Sequence, residues 1–187
     1  LFSGLAKWAQ DAEGKLVIAP DAAEALPEGV VNEDGTVTYT YKLRSGMKWS
    51  NGDEVKASDF VNSWNRAAST ELGADYGYMF EVVKGYGTDK LDAVADDAAR
   101  TITVTISNPI AYWNELLASP TYYPVHSSAY NNEAWATAPA TYICNGPYTI
   151  SSWEHSSNIV MDKNENYHDA ANVSMKQIKY FLSDDSN

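Results

Sequence analysis

Apolar and polar positions alternate most plainly between residues 36 and 43. Val37, Tyr39, Tyr41 and Leu43 fall on one side, and Thr36, Thr38, Thr40 and Lys42 on the other. A period of two in β-branched and aromatic residues predicts a half-buried strand. Ser45-Gly46 ends it, and Asn51-Gly52-Asp53 supplies a second tight turn after Trp49. From Ala57 the period lengthens. Phe60, Val61, Trp64, Ala67 and Ala68 then line one face of a helix. The unit is strand, aromatic-anchored loop, turn and helix.

The same reading covers the rest of the chain. Glu13-Gly14 is a turn before a short strand, Leu16-Val17-Ile18. Residues 21–26 are compatible with one helical turn, stopped by Pro27. Asn32-Glu33-Asp34-Gly35 is a turn; it lacks the oxygen spacing and downstream carboxylate of a calcium loop. A loop at 69–73 leads to a short helix from Tyr78 to about Lys84, broken by 85–89. Residues 91–98 and 100–106 form a hairpin around Asp96-Asp97, with Ile102, Val104 and Ile106 sharing one face. Pro109 suits the first position of a helix carrying Trp113, Leu116 and Leu117, and Pro120 ends it. Asn145-Gly146-Pro147 turns the chain into a strand over 148–153, Asn-Gly permitting positive φ. Residues 158–163 pair back, burying either Val160 or Ile159 and Met161 according to register. A last strand spans 175–182.

Composition narrows the class. A chain of 187 residues buries about 70% of its unfolded surface, and its length predicts one domain, or one with two sublayers. Hydrophobic residues at 44% are ordinary for a globular protein. Aromatics are abundant, with 13 Tyr and 6 Trp, which suits a strand-rich core or a ligand-binding surface. The net charge of −12, from 25 acidic and 13 basic residues, repels phosphate backbones and anionic headgroups. It argues against nucleic acid and peripheral membrane partners, and weakly favours cationic ligands at long range. The one cysteine, Cys144, allows no internal disulfide and reads as a small buried thiol in an apolar run. No segment approaches the ~20 apolar residues of a membrane span. No signal peptide is recognisable; the opening Leu1-Phe2-Ser3-Gly4-Leu5 reads as mid-pattern, as in a piece of something longer.

Catalytic constellations are hard to assemble. His126, His155 and His168 have no neighbour at metal-ligand spacing. No G-x-S-x-G or S-x-x-K context surrounds a serine, and Cys144 has no identifiable base. Acids cluster in turns such as Asp96-Asp97 and Asp184-Asp185, where solvation is the plain reading, although count alone leaves a glycosidase-like pair open. Gly85-Tyr86-Gly87 follows a helix and lacks the third glycine of a phosphate loop. Trp49 and Trp64 read as core anchors. Tyr76 and Tyr78 differ, because they sit in a glycine-containing loop. An exposed aromatic there can pack on a ligand while its hydroxyl bonds a backbone group.

The order of residues in YTYKLRSGMKWSNGDEVKASDFVNSW resembles Y-T-F-x-L-R-x-G-x-K-W-S-D-G-x-P-V-T-A-x-D-F-V-x-S-W. That pattern belongs to the extracellular solute-binding proteins of oligopeptide and dipeptide ABC transporters. Glu54 stands for the usual Pro and Lys56 for a capping Thr. Lysine cannot accept a bond from the free N–H groups of a first helical turn, so the helix start is expected to be weaker, or capped by Ser58. Further matches are Leu1–Leu5 to L-F-E-G-L, the 91–106 hairpin, Asn145–Tyr148 to N-G-P-Y, and 164–170 to N-P-x-Y-W-D-A with Glu165 and His168 substituted. Nearly the whole chain is covered.

The resemblance implies an α+β fold: a mixed, strand-rich lobe of the periplasmic-binding-protein-like (type II) class, without the second lobe. It implies an outer subdomain over 1–125, a hinge-proximal sheet subdomain over 126–187, and a return strand at 121–126. It implies capture of an oligopeptide or dipeptide outside the cytoplasmic membrane and delivery to ABC transporter permease subunits. The full-length protein would be a lipid-anchored monomer, with no cofactor, metal or catalysis. In the family, S-P-Y-A carries a tyrosine bordering the ligand cleft; the matching position is Tyr76, after Asp75 in place of Pro. Tyr76, Tyr78 and Tyr122 are the expected ligand wall. Some family members bind nickel complexes, haem or oligosaccharides. The rivals outside the family are a secreted carbohydrate-binding module or glycoside hydrolase, which needs an aromatic platform or converging carboxylates, and an adhesive surface domain.

Overall fold

Strand β4 (Val37–Lys42) occupies the alternating stretch in the computed structural model, which describes residues 1–183. The acidic turn expected at Asp184-Asp185 lies outside the described residues. β4 pairs antiparallel with β6 (Thr101–Ile106), setting Val37, Tyr39 and Tyr41 opposite Ile106, Val104 and Ile102. On the other face the threonines meet: Oγ1 atoms of Thr38 and Thr105 are 3.3 Å apart, and those of Thr40 and Thr103 3.2 Å. Such cross-strand pairs contribute roughly 0.2–1 kcal/mol each and hold the register. β3 (Val30–Val31) and β5 (Ala93–Asp96) complete a sheet of order β3-β4-β6-β5.

A separate hairpin joins β1 (Ala6–Gln10) to β2 (Leu16–Pro20). β1 has no counterpart in the sequence reading, because Trp8 at its centre is 52% exposed and no buried stripe marks it. The helical turn expected at 21–26 does not form. Ala23 instead bridges Leu43, and the Arg44 N–H donates to the Ala22 carbonyl at 3.0 Å.

α1 (Ala57–Ala68) buries Phe60, Val61 and Trp64 and packs against β5 and β6. Its start corrects one expectation. Ser58 does not cap the helix; its N–H and its hydroxyl each donate to Asp97, at 2.8 Å. The Lys56 N–H donates to Asp59 Oδ2 at 2.9 Å. An acid of the β5–β6 turn thus satisfies the first turn, where negative charge is favourable.

Three other expectations shorten. The helix over 78–84 is a 3₁₀ turn, Gly77–Phe80. The helix from Pro109 is reduced to α2 (Trp113–Leu116). The return strand at 121–126 is replaced by a 3₁₀ turn, Pro120–Tyr122. Pro120 has no N–H to give a ladder, and its fixed φ suits the first position of a helical turn.

The core of this unit is aromatic. Tyr41, Phe60, Trp64, Phe80, Trp113 and Tyr122 are at most 1% exposed. Their polar atoms are paired, as buried groups require. Trp64 Nε1 donates to the Tyr122 carbonyl at 2.7 Å, and Trp113 Nε1 to the Tyr41 hydroxyl at 2.8 Å.

The chain divides into two compact units. One gathers Ser3–Ser45 and Lys56–Pro124; the other gathers Leu1–Phe2, Gly46–Val55 and the chain from Val125 onward. The second unit holds an antiparallel sheet of β7 (Tyr148–Glu154), β8 (Asn158–Lys163) and β9 (Gln177–Phe181), in that order. Ile150 pairs with Met161, each 8% exposed, and a register shift between Ile150 and Ser152 then sets Ser152 opposite Val160; Val160 and Ile159 are only partly covered. Trp49 is 1% exposed in the same unit. Gly146 is needed for a different reason from the one expected. It is not among the positive-φ glycines; a Cβ there would meet the Leu1 carbonyl carbon at 2.6 Å, and its N–H donates to that carbonyl oxygen at 2.8 Å. Cys144 is fully buried, and burial pushes its thiol pKa up.

Candidate ligand-binding site

The loop after α1 is shaped by one glycine. A Cβ on Gly77 would lie 2.7 Å from the Ala67 carbonyl oxygen, so only glycine lets the 3₁₀ turn lie against the end of α1. With Gly77 and Phe80 turned inward, Tyr76 and Tyr78 are left facing solvent, 60% and 57% exposed. Their ring centroids are 6.1 Å apart.

These two tyrosines border a cavity of about 570 Å³, within the first unit. Its size lies in the range of about 300–1,000 Å³ usual for small-ligand sites. The opposite wall comes from α2 and the 3₁₀ turn after it. Tyr112, Met79, Val82, Leu116 and Pro120 supply apolar lining, and Glu81, Ser119 and Thr121 supply the polar groups. The Ser119 and Thr121 hydroxyls point at Met79 Sδ, at 3.8 and 3.3 Å. A thioether is a weak acceptor, so a ligand carbonyl can displace it at little cost. Of the lining residues only Glu81 is charged.

Tyr122, expected in the wall, is placed elsewhere. It is 1% exposed, packs on Phe80 at 4.3 Å between centroids, and donates its hydroxyl to the Met79 carbonyl at 2.8 Å. Burial pushes its pKa well up. It therefore holds the backbone of a lining residue and is not itself among the lining residues. Tyr112, Met79 and Glu81 carry no sequence mark as site residues, and Leu116 is marked only as part of a helical stripe. Tyr112 had one signal: it lies just off the Trp113, Leu116 and Leu117 stripe, and so is left outside the core.

Elsewhere the polar groups have structural roles. His126 Nε2 lies 3.0 Å from Asp53 Oδ2, and its Nδ1 accepts from the Ser128 N–H at 3.3 Å, capping the 3₁₀ turn Ser127–Ala129. The His155 ring stacks on Trp153 at 4.5 Å. Among the described residues no group of three or more His, Cys, Asp or Glu side chains is placed to hold a metal ion. No helix among them is long and apolar enough to cross a membrane.

Comparison with known proteins places the chain. The profile of bacterial extracellular solute-binding proteins, family 5 (middle part), matches residues 17–187. The chain is 37% identical over 165 residues to the oligopeptide-binding protein OppA of Bacillus subtilis (strain 168), covering 83% of this chain and 30% of that protein. It superimposes on OppA of Burkholderia pseudomallei with a TM-score of 0.84 at 33% identity, over 97% of this chain and 36% of that one. For Listeria monocytogenes OppA bound to peptide the TM-score is 0.81 at 34% identity, with the same two shares, 97% and 36%. The chain spans about a third of the length of these relatives. Over that part it has their fold, the mixed, strand-rich α+β architecture of a partial lobe. On the profile match and these identities together, the chain belongs to the bacterial extracellular solute-binding proteins of family 5.

Proposed function

We propose that this chain is part of the first lobe of a protein that captures oligopeptides or dipeptides outside the cytoplasmic membrane and delivers them to an ABC importer. In this reading residues 1–125 form the outer subdomain, apart from Leu1–Phe2 and Gly46–Val55, which gather with the other unit, and 126–187 form a hinge-proximal sheet subdomain. The protein is a non-enzymatic, lipid-anchored monomer. It traps ligand by closing a second lobe over it, excluding water, and its permease recognises the closed form.

One observation carries the reading: a cavity bordered by the exposed Tyr76 and Tyr78, with Ser119 and Thr121 hydroxyls held only by a thioether. Tyrosine faces accept varied side chains, and mobile hydroxyls suit backbone carbonyls of an extended peptide. Similarity to Listeria OppA bound to peptide supports the ligand class.

The test is an amide shift map of the isotope-labelled chain, titrated with a pool of short peptides and then with oligosaccharides. Shifts confined to 75–82 and 112–121, and seen with peptides alone, are the expected outcome. Shifts with sugars at other aromatics would replace the reading with a carbohydrate-binding one. Because one wall supplies only part of the contacts, calorimetry of this chain should give affinity weaker than micromolar. A micromolar constant would contradict the division of the site between lobes.

A further inference from the structure

We infer that the cavity beside Tyr76 and Tyr78 is a subsite for a basic peptide side chain, lysine or arginine. The inference deepens the peptide-capture reading and rests on it. Two segments build the cavity, 76–82 and 112–121. Neither contains a lysine or arginine, and none occurs between Arg66 and Lys84 or between Arg100 and Lys163. The same segments carry Glu81 and Glu115, and Asp75 precedes Tyr76; all three acids are exposed. A chain of net charge −12 adds to the local negative potential.

The walls match the two halves of such a side chain. Met79, Val82 and Leu116 offer apolar surface to a three- or four-carbon stem. The faces of Tyr76, Tyr78 and Tyr112 and the carboxylate of Glu81 suit a cationic head. An aliphatic side chain would use the apolar wall and gain nothing from Glu81. A glutamate side chain would meet like charge. Exposed ion pairs and cation–π contacts are each modest, so the preference for a cation over its neutral isostere should be roughly fivefold.

The experiment titrates the labelled chain with blocked pentapeptides Ala-Ala-X-Ala-Ala, acetylated and amidated so that the termini carry no charge. X is lysine, arginine, norleucine or glutamate, and affinities are read from amide shifts within 76–82 and 112–121. Lysine and arginine peptides should bind about fivefold tighter than norleucine, and glutamate most weakly. Glu81→Gln, at an exposed position, should close most of the lysine–norleucine gap, and raising the salt should narrow it in the unsubstituted chain. Norleucine equal to or tighter than lysine overturns the basic subsite and leaves peptide capture standing. Peptide-induced shifts confined to other residues do the same. No shift with any peptide at millimolar concentration overturns both.

Discussion

Gly77 and Gly146 do comparable work in the two different units of the chain. Neither is among the positive-φ glycines, and at both a side chain would run into backbone, at 2.7 and 2.6 Å. Gly77→Ala must push the tyrosine loop off α1. Overpacking of this kind costs about 1–3 kcal/mol, readable as a lowered urea midpoint. Asp97 acts through charge and hydrogen bonding at the start of α1. Asp97→Ala should cost about 1 kcal/mol, and Lys56→Thr should recover about half of that by supplying a local acceptor; thermal unfolding of the single and double variants checks both. Cys144 is held protonated by burial. A chromogenic disulfide reagent at pH 8 should leave it unmodified in the folded chain and react promptly in urea. Its native pKa is raised, so its contribution to stability is intact below the ordinary thiol value of 9.0 and declines as pH rises through the native value.

At the scale of elements, legibility followed periodicity. β4, β6 and α1 were readable because Tyr41, Ile102, Phe60 and Trp64 recur on buried faces. β1 was not, since its pairing to β2 orders it while Trp8 stays exposed. The 121–126 stretch looked strand-like by resemblance, but the local bond from the Tyr122 N–H to the Ser119 carbonyl, 3.0 Å, closes a turn instead. The site was half legible for a related reason. Loop aromatics carry no period, so nothing in residues 76, 78 and 122 told which would turn inward. Gly77 against Ala67 decides the first two, and the Met79 carbonyl claims the third. The consequence separates the tyrosines. Tyr122→Phe leaves a buried carbonyl without its donor and should cost about 1–2 kcal/mol of stability. Tyr76→Ala and Tyr78→Ala, at exposed positions, should shift stability by less than about 0.5 kcal/mol while weakening peptide response. Urea curves and peptide titrations of the same three variants resolve the two kinds of role.

For the whole molecule, the acidic surface, the cavity without basic residues and membership of a solute-binding family point the same way. In the proposed reading this chain supplies one wall for the peptide, and a second lobe closing over it supplies the rest. The most direct measurement is photo-crosslinking with a short peptide carrying a benzoylphenylalanine, followed by mass spectrometry of the digested chain. The account predicts attachment within 76–82 or 112–121, suppressed by excess unlabelled peptide. Attachment confined to residues beyond Val125, or attachment that excess peptide does not reduce, would contradict it.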